Sequence, residues 1–185
     1  IQRVAGSSAG AITATLVSFN LSYSETLKLI ESLDFKQVPQ LRSSNRESEP
    51  EWLPKFLSKE IMKISGDFEA VQRLMTKYGW YSSEYFNNWM RSVIAQHCDG
   101  NPDATFKDFQ SFGHKDLYVV SANMSKLKVS VFSAETTPDF PVAQAVRMSM
   151  SIPLYFEVMR FNGENFGEGD YYVDGGLLMN YPLHI

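Results

Sequence analysis

Five residues, Gly6-Ser7-Ser8-Ala9-Gly10, stand between a β-branched run and a helix-forming run, and they constrain the fold more than any other stretch. Ile1 to Ala5 reads as the end of a buried strand, and Ala11 to Phe19 as a mostly apolar helix. A strand that reverses sharply into a helix brings its two limbs together, so the residues beside the turn must lack bulk. The spacing G-x-S-x-G then leaves Ser8 at the tip with its hydroxyl exposed. N–H groups of the first helical turn and the positive end of the helix dipole point at the same place. An oxyanion formed when a serine attacks an acyl carbon needs such an environment. The same residues also suit a tight turn in which the serine caps the helix. A P-loop is excluded, because no Lys-Ser or Lys-Thr follows.

Composition narrows the classes. A chain of 185 residues with 44% apolar content can bury an ordinary core as one domain. A net charge of −4 supplies no basic field for nucleic acid. Cys98 is the only cysteine, so no internal disulfide forms, and no Cys/His spacing matches a zinc site. No apolar run approaches the roughly 20 residues that span a bilayer. The chain opens on Ile1 and stops at Ile185 inside an apolar stretch, which reads as truncation at both ends.

Helical spacing predicts a helix over 24–33, capped by Ser22 or Ser24, then a polar, mobile surface loop over 39–54. Further helices are expected over 52–64, 68–78 and 83–97, so the middle third, roughly 35–110, reads as a helical insertion without strands. Its aromatics, among them Trp52, Phe56, Trp80, Phe86 and Trp89, suit either a lipid-facing lid or ordinary core stripes. Asp116–Met124 and Lys128–Glu135 read as hairpin-like strands, Val142–Met150 as a helix ending before Pro153, and Tyr155–Arg160 and Tyr171–Val173 as strands.

A serine hydroxyl needs a base. His97, at a helix end, and His114, in a polar turn, read as solvated residues, while His184 follows in the Ser, Asp, His order of α/β-hydrolases. Asp174 is the better partner: the strand Tyr171–Val173 delivers its carboxylate to Gly175-Gly176, where backbone can approach closely. Alone, it would equally be a turn aspartate binding nearby N–H groups.

Together, Ser8 in G-x-S-x-G and Asp174 in D-G-G resemble the patatin-like phospholipase family, whose members use a Ser-Asp dyad. Gly79–Phe86, Thr105–Phe109, Val142–Phe156 and Asn180–Leu183 are similar to further family segments. The resemblance implies an α/β chain with a three-layer α/β/α core, a central mostly parallel sheet and the helical insertion. It implies a serine lipid acyl hydrolase, phospholipase A-like, that forms an acyl-enzyme on Ser8 with Asp174 as base. Gly6, Ala9, Gly10, Gly175 and Gly176 would support the turn and the oxyanion. Neither metal nor other cofactor is implied. Implied partners are a phospholipid or other lipid ester and a peripheral membrane surface; the length of the helical insertion points in addition to an activating protein that orders it. Secreted bacterial proteins are among the family's members. The family's glycine-rich oxyanion loop has no counterpart here: Gly163–Asp170 is glycine-dense, but its three carboxylates would repel an oxyanion, so the loop is expected upstream. The alternatives are a catalytically silent member used for binding or regulation, and an esterase with His184 as base.

Overall fold

The computed structural model describes residues 2–38 and 78–179. Its frame is one strand, β3 (Asp116–Asn123), buried from Leu117 to Asn123. β1 (Arg3–Ser7) lies parallel to it, from Arg3 opposite Asp116 to Ser7 opposite Val120. β4 (Lys128–Phe132) pairs antiparallel with Val119–Asn123. β7 (Asp170–Asp174) pairs antiparallel with Ser121–Asn123, and β6 (Met159–Phe161) adds to β7. Because the β4 pairing overlaps those of both β1 and β7, the latter two must share the opposite edge of β3.

This arrangement fixes the site. β1 runs along the edge in one direction and stops opposite Val120; β7 comes from the other direction and stops opposite Ser121. Two strand ends therefore meet head to head, with Ser8 one residue past the first and Asp174 closing the second. No helical crossover separates them at this point.

Helices flank the sheet. α1 (Ala9–Ser18) folds back on β1 and β3 through Ala11 and Ala14, whose small side chains permit a close approach. α2 (Tyr23–Glu31) begins at Ser22, where a capping box with Glu25 satisfies two terminal N–H groups. α3 (Glu84–His97) buries Phe86, Met90, Val93 and Ile94 against α5 (Val142–Ser149). α4 (Phe106–Ser111) starts with the same device, Thr105 with Asp108, so the T-F-K-D stretch encodes a helix start. Leu117 and Val119 join these helices in one hydrophobic cluster.

Three expectations change. The sheet is mixed instead of mostly parallel: among the described residues, β1–β3 is its parallel pair, while β3–β4, β3–β7 and β6–β7 are antiparallel. The four residues between β3 and β4 are too few for a crossover, which dictates a hairpin. The middle third is not all helix. β2 (Gly79–Tyr81) pairs in parallel with β5 (Leu154–Phe156) in a second, two-stranded sheet. The single strand expected over Tyr155–Arg160 is divided between β5 and β6, which belong to different sheets. Phe86 is fully buried and Trp89 packs on the core with its indole N–H donating to Ser32 Oγ at 2.9 Å, so these two aromatics are core and not lid. The helix expected over 52–64, the loop over 39–54 and all but the last residue of the helix expected over 68–78 lie outside the described residues; that last residue, Tyr78, is not helical, with φ 58°.

Candidate active site

Ser8 leaves β1 with φ 55° and ψ −129°. A side-chain-bearing residue in such a region is strained by on the order of 1–3 kcal/mol and persists only when its surroundings hold it there. The fold enforces the conformation with Gly6: a Cβ on that residue would lie 2.1 Å from the Gly10 carbonyl oxygen and 2.6 Å from the Ala11 nitrogen. Backbone atoms cannot step aside as a flexible side chain would. Gly10 differs, since a Cβ there meets nothing within 4 Å. Gly6→Ala is therefore expected to cost about 3 kcal/mol, a Tm fall of on the order of 10 °C for a chain of this size. Gly10→Ala, at an exposed position in the first helical turn, should leave Tm unchanged or raise it slightly. Thermal denaturation of the two variants checks the contrast.

The Ser8 hydroxyl donates to Asp174 Oδ2 at 2.5 Å. It makes no capping bond to α1, so the turn does not use this serine as an N-cap. Ala9 and Gly10 are exposed beside it, and the first N–H groups of a helix have no intrahelical acceptor. The bonded hydroxyl and carboxylate thus lie beside an exposed helix start that has donors to spare.

Asp174 is 7% exposed, and both carboxylate oxygens are engaged. Oδ2 takes the Ser8 proton donor, while Oδ1 accepts from the Gly176 N–H at 2.7 Å. Gly176 therefore orients the carboxylate. Gly175 allows the chain to turn against β3: a Cβ there would lie 2.3 Å from the Val120 carbonyl oxygen and 2.6 Å from Ser7 Oγ.

Two further serines touch the pair through its backbone. Ser149 Oγ accepts from the Ser8 N–H at 2.9 Å and donates to the Val120 carbonyl at 2.6 Å. The Ser151 carbonyl accepts from the Asp174 N–H at 2.9 Å. Both lie in the Val142–Phe156 stretch, which the sequence marks as a unit without indicating what its serines do.

The described histidines lie elsewhere. His97 stacks on Phe19 at 4.5 Å, and His114 meets the edges of Phe19 and Phe109. Phe19 closes the far end of α1, roughly 15 Å from Ser8 at 1.5 Å per residue. Both rings are half-buried against these phenylalanines, less solvated than the sequence suggested. Burial holds both below the usual imidazole range, and His114 Nε2 donates to the His97 carbonyl at 3.0 Å. Burial also pushes the Cys98 thiol up to about 12, with the Asp108 charge adding to it, so it stays protonated at neutral pH. His184 lies outside the described residues. Among the described residues no group of three or more His, Cys, Asp or Glu side chains is placed to hold a metal ion.

The class defined here is an α/β protein with a strained strand–serine–helix turn whose hydroxyl is bonded to a buried aspartate. Within that class the chain belongs to the patatin-like phospholipase family, which matches it over residues 1–185. It is 28% identical over 188 residues to YqhO of Bacillus subtilis, covering 98% of this chain and 55% of the relative. It is 33% identical over 81 residues to a protein named "Probable lipid hydrolase 463L" of Invertebrate iridescent virus 6, covering 44% of this chain and 26% of the relative. The chain thus spans about half the length, or less, of these curated relatives. The fold resembles the crystal structure of VipD from Legionella pneumophila, with a TM-score of 0.58 and 22% identity over 98% of this chain and 41% of VipD.

Proposed function

We propose that this chain carries the catalytic site of a serine lipid acyl hydrolase, phospholipase A-like, working through Ser8 and Asp174. The observation that carries the reading is the 2.5 Å bond from the Ser8 hydroxyl to the Asp174 carboxylate, made by a serine held in a strained turn that leaves its helix uncapped.

In the first half-reaction Ser8 Oγ attacks the ester carbonyl carbon while its proton passes to Asp174 Oδ2. The oxyanion develops against the N–H groups of Ala9 and Gly10 and the positive end of α1. Collapse breaks the C–O bond, and Asp174 returns the proton to the departing oxygen. This leaves a lysophospholipid and an acyl group on Ser8. Water then gives its proton to Asp174 as it attacks the acyl carbon. Ser8 departs with that proton and the fatty acid is released.

A lipid surface as the source of substrate is supported by the rim. Ile152, Leu154, Tyr155, Leu177 and Leu178 are exposed, and they lie close in the chain to the groups that hold the pair: the first three follow Ser151, whose carbonyl binds the Asp174 N–H, and the two leucines come shortly after Asp174 itself. Leu154 is 63% exposed at φ 66°, so the backbone accepts strain while presenting an aliphatic side chain to the outside. Such residues suit peripheral contact with a bilayer. Among the described residues no helix is long and apolar enough to cross one.

The test uses the intact protein with phosphatidylcholine vesicles in EDTA, since serine and carboxylate supply nucleophile and base between them. Lysophospholipid and free fatty acid are expected in equal amounts, with a trapped acyl mass on Ser8 at early times. Release of the phosphorylated head group, or absence of fatty acid, would refute the reading.

A further inference from the structure

The backbone bonds behind Ser8 and Asp174 converge on a single short segment. Ser8 follows the last paired residue of β1, and its N–H is taken by a side chain. A buried N–H without an acceptor is strongly disfavoured. Ser149 Oγ supplies the acceptor at 2.9 Å. The geometry leaves no ambiguity about the protons, because an N–H can only donate and the Val120 carbonyl at 2.6 Å can only accept. One hydroxyl therefore joins the end of α5, the turn and the central strand. Two residues later, the Ser151 carbonyl binds the Asp174 N–H at 2.9 Å.

α5 is a firm anchor for this purpose. Val142, Ala143, Ala145, Val146, Met148 and Ser149 are all buried at 0% exposure. Ser149 has no surface through which to meet a substrate, so whatever it contributes to a reaction passes through Ser8.

We propose that Ser149 is a positioning residue: its hydroxyl, acting with the Ser151 carbonyl, sets the placement of the Ser8 hydroxyl against the Asp174 carboxylate. This rests on the reading of Ser8 as nucleophile. Without the Ser149 oxygen, the Ser8 N–H loses its acceptor and the link from the turn to the Val120 carbonyl is cut, and the strained turn relaxes toward ordinary backbone angles. The hydroxyl then leaves the line of attack, and small displacements of a reacting atom have large effects on rate.

Three variants separate positioning from general support of the fold. Ser149→Ala removes the hydroxyl; Ser149→Cys nearly keeps the volume but offers only a weak sulfur acceptor; Ser149→Thr keeps the hydroxyl while forcing a methyl into a closed site. In the intact protein, Ser149→Ala and Ser149→Cys are expected to lower kcat by about tenfold to a hundredfold, with KM changed by less than about twofold because the residue touches no substrate. Ser149→Thr is expected to lower Tm and yet retain most of kcat. The rate at which a fluorophosphonate labels Ser8 should follow the kcat order. Should Ser149→Ala fail to fold, the Cys and Thr pair carries the comparison.

Normal labelling and kcat in the Ala and Cys variants would overturn the proposal, and so would a kcat that merely tracks Tm across the three. If the unmodified protein itself resists the fluorophosphonate, the nucleophile reading fails and this one with it. If it labels and the Ser149 variants label equally fast, only the positioning role is lost.

Discussion

Ser8→Ala is expected to abolish ester hydrolysis, lowering kcat/KM by at least about ten-thousandfold, while leaving Tm within about 1 °C of the unmodified protein. The two halves of this expectation come from one observation. The Ser8 hydroxyl donates to Asp174 and makes no capping bond to α1, so its removal deprives the helix of nothing. Asp174 keeps the Gly176 N–H on its other oxygen, and the Ser8 N–H, being backbone, still reaches Ser149. Alanine also leaves the same strain at φ 55°, since the cost resides in Cβ. A serine that served as an N-cap would behave oppositely: its loss would lower stability by about 1 kcal/mol with no rate to lose. Measuring kcat/KM on a phospholipid or p-nitrophenyl ester beside a thermal melt distinguishes the two. Full activity in the variant would remove Ser8 from the chemistry.

How much of this was legible in the sequence depends on how local each feature is. The turn was readable because Gly6, Ser8 and the helix that follows act on one another within a few residues. Gly6 is sterically required, whereas Gly10 meets nothing within 4 Å, so half of the motif's apparent steric demand is absent. Asp174 stood out as a carboxylate at a strand end before two glycines, but the reason it lies beside Ser8 is the shared edge of β3, a property of three strands at once. Ser149 and Ser151 gave no signal, because a buried hydroxyl and a backbone carbonyl acquire a role only through what packs against them.

Short strands were the hardest elements to foresee. Gly79–Tyr81 has three residues and no alternation, and exists because Gly79 accepts the backbone of Phe156 at a distance that no side chain would permit: a Cβ there would lie 2.0 Å from the Phe156 oxygen. The aromatics of α3 have the right spacing for a core stripe and equally for a lipid-facing one. Position in the fold decides, and it buries Phe86.

Asp174→Asn is expected to be nearly as damaging as the loss of Ser8, for a reason that also gives it a distinctive pH profile. The amide is almost isosteric. Its oxygen can accept from the Gly176 N–H as Oδ1 does now at 2.7 Å, and the backbone N–H still reaches the Ser151 carbonyl, so the fold and Tm should hold. That orientation turns the NH2 toward Ser8 Oγ. The hydroxyl then meets a donor where it had an acceptor, and no group can take its proton during attack. A fall in kcat of about a thousandfold to ten-thousandfold follows from losing general-base assistance. The remaining route to an alkoxide is solvent hydroxide, so the residual rate should rise about tenfold per pH unit through the alkaline range, a dependence the unmodified protein has no cause to share. Initial rates between pH 7 and 10 for both proteins, with acyl transfer confirmed by mass, provide the measurement. An Asn variant with undiminished, pH-independent turnover would mean that another base serves Ser8; His184→Ala in the same assay would then be the damaging change, whereas the Ser8–Asp174 geometry requires it to be mild.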